Sequence, residues 1–394
     1  MNWIQKTNPA WLLAGAAFFT PIKPAPVNML LMLTVILVLL NARTRSRLVG
    51  LFKHPIVVSA YALVAWLLFT LLFESSDLIA AESYLSKYLR LLLLPMLAAA
   101  CITERDAQRA LAAFCMGVFV SVLGSYAVSL GFFASFENSK SPLLFKLHIT
   151  HNFFVALAAG YVLYRLSTEW HRISPSVKIF IFTALTLSLY NFFFMVEGRS
   201  GWVAIAMLPV IFAYQRTGFR GCATAAATVA VVLAAVYFTS DSFNARVSAV
   251  FVEVQQWIDG HAAAADTNSG RRITFWFHSV QAFMQAPWFG YGVGGFQAAV
   301  APYAQAAGLS FEIDNPHNQY LLLAVQGGLV AVVLYFLFVS TILVRKDSPH
   351  RLAIQSVVLV YLTLNLFNSF HHDFAEGVFF IIAVSTLAFR KDQA

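Results

Sequence analysis

Apolar residues fall in long runs separated by short polar breaks, and most runs reach the roughly 15–25 residues a helix needs to cross a bilayer. Such runs recur twelve times, at about 9–22, 26–41, 55–73, 86–101, 108–133, 150–166, 178–196, 201–215, 220–239, 317–343, 352–370 and 374–389. Pro21, Pro24 and Pro26 interrupt the first two. More runs follow the first at once, without a small-residue cleavage site, so it reads as a span rather than a removable signal segment. Short connections predict antiparallel neighbours in one domain over 1–394. The exception is a polar stretch, 240–316, between the ninth and tenth runs. Within it Val247, Val250, Phe251, Val254, Trp257 and Ile258 recur at helical spacing, as do Ile273, Trp276, Phe277, Val280, Phe283 and Met284. Two amphipathic helices are therefore expected there, lying on the membrane surface or capping the bundle. The pattern predicts an all-α polytopic membrane protein of about twelve transmembrane helices with one large external loop.

Composition narrows this further. With 59% hydrophobic and 11% charged residues and a mean hydropathy of +0.71, an ordinary soluble domain is excluded. Placing the N-terminus in the cytoplasm puts 17 of the 26 Lys and Arg residues on inner loops, as the positive-inside rule asks. An even number of spans returns the C-terminus to the same side. The net charge of +8 is then a topology signal, and no nucleic-acid partner is implied. Cys101, Cys115 and Cys222 sit in or beside inner halves of spans, so no disulfide framework is suggested, and no metal-ligand spacing appears. Stretch 240–316 falls on the outside, in a periplasm or its equivalent.

Polar groups at a membrane boundary are costly, which directs attention to a few residues. Asn315 and Pro316 suit the N-cap and first position of the tenth span, which sets His317 in its first turn. The positive end of the helix dipole would keep that imidazole neutral and able to act as a base, and Asn318 follows it. A capping or interfacial histidine is the ordinary alternative; the Asn-Pro-His-Asn context favours function. Arg199 occupies a short external turn where positive-inside bias makes arginine unexpected, and a guanidinium fork suits a diphosphate. Snorkelling explains it equally well. Arg271 and Arg272 open the second amphipathic helix against its dipole, an unfavourable place that points to an anionic partner. Lys87 and Arg90 form an i, i+3 pair near the outer end of the fourth span, and His148 and His151 flank the outer end of the sixth. Both pairs are further candidates for a lipid phosphate. His371, His372 and Asp373 could touch a metal, though three consecutive residues converge poorly on one ion. The glycines of 290–295 read as a turn and not a nucleotide loop, since no strand precedes them and no Lys-Ser/Thr follows. Membrane-buried acids are nearly absent, leaving proton relays and cation transport little to run on. No external Asp-x-Asp pair is available to hold a divalent ion.

Three segments together resemble the O-antigen ligase and polymerase superfamily of bacterial membrane glycosyltransferases. They are Glu197-Gly-Arg-Ser-Gly-Trp202; Ser269-Gly-Arg-Arg-Ile-Thr-Phe-Trp276 with the glycine-rich bend after it; and Pro316-His-Asn-Gln-Tyr320 with Gly328 beyond. The spacing from the His-Asn pair to Gly328 is similar to the ligase form in particular. The resemblance implies a GT-C-like fold of twelve spans with a large periplasmic loop, sited in the bacterial inner membrane. It also implies transfer of polysaccharide from undecaprenyl diphosphate to the lipid A-core, without metal, nucleotide or other cofactor. His317 matches the family histidine, Arg199 the arginine before a span, and Arg272 the arginine of the periplasmic helix, with Arg271 one place away. Val203 stands where the family has leucine. An O-antigen polymerase or a protein O-oligosaccharyltransferase remains the alternative enzyme, and a lipid-linked glycan flippase the non-enzymatic one.

Overall fold

The computed structural model describes residues 7–73, 78–138, 140–196, 198–260, 262–309, 311–345 and 348–389. Glu197, Lys346 and the basic residues at both ends of the sequence, Lys6, Arg390 and Lys391, fall outside them. Sixteen α-helices organise the described residues, and no strand occurs among them. They are α1 (Ala10–Phe19), α2 (Pro24–Leu40), α3 (Ala42–Leu51), α4 (Pro55–Phe69), α5 (Leu78–Tyr88), α6 (Leu94–Ala100), α7 (Glu104–Ser129) and α8 (His148–Glu169). After these come α9 (Pro175–Tyr190), α10 (Arg199–Thr239), α11 (Asp241–Ile258), α12 (Asn268–Gln285), α13 (Phe296–Ala306), α14 (Gln319–Leu343), α15 (Arg351–Leu364) and α16 (Phe374–Leu387). Proline opens α2, α4 and α9, where its missing N–H costs nothing. A capping box starts α7, with Thr103 and Asp106 exchanging backbone and side-chain hydrogen bonds.

All twelve apolar runs are largely helical, and their helices differ in length. Five described helices are long and apolar enough to cross a membrane, or six if α2 and α3, bent by 97°, count as one. Helices α1, α15 and α16 are apolar but shorter. Runs 201–215 and 220–239 form two helical halves of α10 that meet at a kink at Gly218 (φ 68°, ψ −152°). Glycine tolerates that conformation, so the backbone turns there, inside the polar stretch Gln215-Arg216-Thr217-Gly218-Phe219-Arg220 that separates the two runs. The large loop holds both expected helices, each longer at its N-terminal end than the apolar spacing indicated, and also α13, which the sequence reading missed.

Within a bilayer, close packing rather than water exclusion holds helices together, so small residues mark the tightest contacts. A side chain at Gly117 of α7 would sit 2.0 Å from the Phe18 carbonyl oxygen of α1. The glycine-rich bend has a similar steric reason. Gly328 interrupts α14 with φ 66°, and loop 287–292 enters that break. Tyr291 N–H donates to Val325 O at 2.8 Å, Gly292 N–H to Gln326 O at 2.8 Å, and Leu329 N–H to Pro287 O at 2.8 Å. A Cβ on Gly328 would lie 2.2 Å from the Trp288 carbonyl oxygen. The loop thus satisfies backbone groups that a broken helix would otherwise leave unpaired among apolar neighbours. Trp66 of α4 adds a bond from Nε1 to Gly327 O at 2.9 Å, tying the break to the bundle.

Candidate functional site

The site is built on the turn that leads into α14. Asn318, and not Asn315, caps that helix: its Oδ1 accepts from Tyr320 N–H at 3.0 Å and Leu321 N–H at 3.1 Å. Helix α14 begins at Gln319, so His317 precedes the cap and does not belong to the first turn. The reason is local. His317 has φ 49°, a left-handed conformation from which a helix cannot start. Asn315 maintains that turn, accepting at Oδ1 from His317 N–H at 2.9 Å and from Ser369 Oγ at 2.8 Å. Outside the helix, His317 gains little from its dipole. Its pKa is lowered instead by burial first and by the Arg272 guanidinium second, with Asp314 opposing. The expected neutrality therefore has a different cause.

Helix α12 supplies the facing wall. Phe275 stacks on His317 with centroids 6.2 Å apart and planes 19° from parallel, and Trp276 Nε1 donates to Pro316 O at 3.0 Å. Arg272 sits one turn before them on the same helix, which brings its charge to bear on the imidazole. Arg271 points elsewhere: it is exposed, pairs with Asp266 at 3.2 Å and lies over the Phe311 ring. Gly270 explains the small residue before the arginines, because a Cβ there would be 1.8 Å from Ala264 O. Glu253 of α11 caps the same helix, accepting from Ser269 N–H at 2.8 Å.

Arg199 opens α10; its side chain lies outside the described part of the structure, as does Glu197. The backbone around it is well anchored. Cβ atoms on Gly198 and Gly201 would meet Asn152 of α8 at 2.6 Å and 2.5 Å, so this turn must be glycine-flanked to approach α8. Ser200, next to Arg199, accepts from Asn368 Nδ2 at 3.0 Å. Asn368 O in turn accepts from Gln319 N–H, and the adjacent Ser369 bonds Asn315. Residues 365–371 thus connect the start of α10 with the His317 turn.

A third group comes from α5 and the segment before α16. Tyr84 Oη donates to Asp314 O at 2.5 Å, and its ring lies 4.7 Å from that of His372. Burial first, and then the charges of Lys87 and Arg90, push the pKa of His372 down to about 4, with Asp314 opposing. Asp373 is shifted the opposite way, raised by burial first and then by Glu376, with Lys87 opposing. Lys87 and Arg90 therefore border the His317 neighbourhood. His151 does not. Its Nδ1 lies 3.1 Å from Ser121 Oγ and its Nε2 2.8 Å from Asn191 Oδ1, so both nitrogens crosslink helices inside the bundle. The expectation that His151 binds substrate is corrected accordingly: an internal partner occupies each nitrogen. His148 opens α8.

His371 turns into a cage of Tyr88, Tyr335, Tyr361 and Phe380, away from its neighbour His372. No group of three or more His, Cys, Asp or Glu suited to a metal is present among the described residues. Sequence reasoning missed Tyr84, Gln319 and the Asn365–Asn368 turn because polar residues within apolar runs carry no spacing signal. It also missed the buried Glu376, one of whose carboxylate oxygens has no hydrogen-bond partner among the described residues.

Residues 182–336 match the family model described as O-antigen ligase. That segment contains Arg199, Arg271, Arg272, His317 and Asn318, whereas Lys87, Arg90 and His151 lie outside it. No curated protein matches the chain.

Proposed function

We propose that this chain, a member of the O-antigen ligase superfamily and a membrane protein, transfers polysaccharide from undecaprenyl diphosphate to a sugar hydroxyl of the lipid A-core. The observation that carries the reading is the arrangement at one turn: a left-handed His317 stacked on Phe275, under the charge of Arg272, and connected through 365–371 to the start of α10. His317 acts as general base and takes the proton of the acceptor hydroxyl. The hydroxyl oxygen then attacks the anomeric carbon, and the bond to the diphosphate breaks with its electron pair on the diphosphate oxygen. Arg272 and Arg199 stabilise that negative charge, Asn318 orients the turn, and Lys87 and Arg90 hold further phosphate oxygens. A single in-line displacement inverts the anomeric centre. Diphosphate is already a good leaving group and guanidinium groups supply the positive charge, so neither a metal nor a nucleotide is required. The site faces the periplasm, both termini are cytoplasmic, and both lipid substrates enter from the bilayer of the inner membrane.

The test reconstitutes the purified chain with labelled lipid-linked glycan and lipid A-core, with and without EDTA. Transfer should survive the chelator and fall by about 10²–10⁴-fold in His317→Ala, the usual contribution of a positioned base. Joining of two lipid-linked glycans would identify a polymerase instead. Unchanged activity in His317→Ala, or a trapped sugar–enzyme adduct, would overturn the mechanism.

A further inference from the structure

A polar pocket lies at the end of the bundle away from His317. It encloses about 410 Å³ and is lined by Arg43, Ser46 and Arg47 of α3, by His54 at the start of α4, and by Arg345 just past α14. Helix α14 runs from the His317 turn, through its break at Gly328, to this pocket. Helix α16 runs the same way, from the His372 segment to Phe389, which also borders the pocket. The two sites are therefore on opposite faces of the membrane region.

The pocket is shaped by a specific bend. Helices α2 and α3 meet at 97°, so α3 crosses the end of the bundle. Asn41 caps α3 by accepting from Arg43 N–H at 3.0 Å, and Thr44 Oγ1 donates back to Val38 O at 2.9 Å, which fixes the angle. Positions 43, 46, 47 and 50 then share one helical face, and all four line the pocket. Arg47 is anchored by a bond from Nη1 to Ile102 O at 3.2 Å. His54 is held at the start of α4, where its Nδ1 accepts from Ile56 N–H at 3.3 Å. Among the described residues, none lining the pocket is acidic. A positive-inside bias needs only a count of basic residues. It does not bring arginines from segments about 300 residues apart to one concave site.

We infer that this pocket binds the phosphate-bearing headgroup of an anionic phospholipid from the leaflet opposite His317. Its volume is that of a small-molecule site, and basic pockets between helices at the inner face suit such headgroups. The arginine forks of α3 and the end of α14 hold the phosphate, and the exposed apolar side chains of α2, such as Leu39 and Leu40, lie beside the acyl chains. Bound lipid would clamp α3 against the end of α14.

The experiment titrates the delipidated full chain in neutral detergent, read by native mass spectrometry and by Tm. The probes are phosphatidylglycerol, phosphatidylcholine and inorganic phosphate, each separately and in competition. Phosphatidylglycerol should occupy one tight step and raise Tm, whereas phosphatidylcholine should not. R43Q/R345Q should weaken that step about tenfold or more, the effect of losing charge-assisted bonds to phosphate. R216Q/R220Q removes the same charge elsewhere and should leave the step intact. Equal binding by R43Q/R345Q and the unaltered chain would overturn the site, as would equal loss in R216Q/R220Q. Displacement of phosphatidylglycerol by inorganic phosphate at comparable concentration would show a soluble-anion site and overturn the lipid assignment. If R43Q/R345Q does not fold, equal affinity of the unaltered chain for the two lipids is the overturning result.

Discussion

Asn315 offers the sharpest test, because it touches no reacting atom in the proposed mechanism yet governs the conformation of the residue that does. Its Oδ1 accepts two bonds, from His317 N–H at 2.9 Å and from Ser369 Oγ at 2.8 Å. Asn315→Ala deletes both. At about 1 kcal/mol net for each bond the loss is about 2 kcal/mol. If it falls on the positioning of His317, transfer slows about 30-fold. Asn315→Asp keeps an acceptor in the same place and should recover most of the rate. It also adds negative charge beside the imidazole, which favours the protonated form and raises the His317 pKa. The acid limb of the rate profile should therefore move to higher pH in Asn315→Asp and not in Asn315→Ala. The assay is glycan transfer in proteoliposomes between pH 4.5 and about 8, with Tm recorded for each variant. A full rate in Asn315→Ala would refute the reasoning, and so would an unmoved acid limb in Asn315→Asp.

Other outcomes follow from the same geometry. In the unaltered chain the acid limb should lie below the ordinary histidine value of 6.5, because burial and Arg272 lower the His317 pKa and the base remains neutral until the pH falls through that lowered value; a midpoint at or above 6.5 in kcat/KM contradicts this. Arg272→Gln should cost at least about tenfold in kcat/KM and shift the acid limb upward, whereas Arg271→Gln, which loses an exposed pair and a contact over the Phe311 ring, should stay within about threefold; a reversed order would exchange the roles of the two arginines. Gly328→Ala combines a left-handed backbone with a 2.2 Å approach to Trp288 O, so a loss of stability of at least about 1–3 kcal/mol is expected in thermal unfolding. An unchanged Tm there would mean that the loop does not enter the helix break.

Local pattern carried much of this protein. Apolar runs settled that it is helical and membrane-embedded, and amphipathic spacing located α11 and α12. Charges placed against the helix dipole marked Arg271 and Arg272, and an unusual Asn-Pro-His-Asn string marked His317. Those signals reside in neighbouring residues, so sequence order preserves them. Tertiary structure decided what depends on meetings across long separations, such as Gln319 with Tyr88 across 231 positions. It distinguished Arg272, whose charge acts on His317, from Arg271, which pairs with Asp266. It moved the helix cap from Asn315 to Asn318, because the left-handed turn at His317 is held by Ser369 and Asn315 together. It also turned a string of glycines into a plug for a broken helix. Periodicity records which face of a helix is buried, but the partner on that face is chosen by packing, which no single segment encodes.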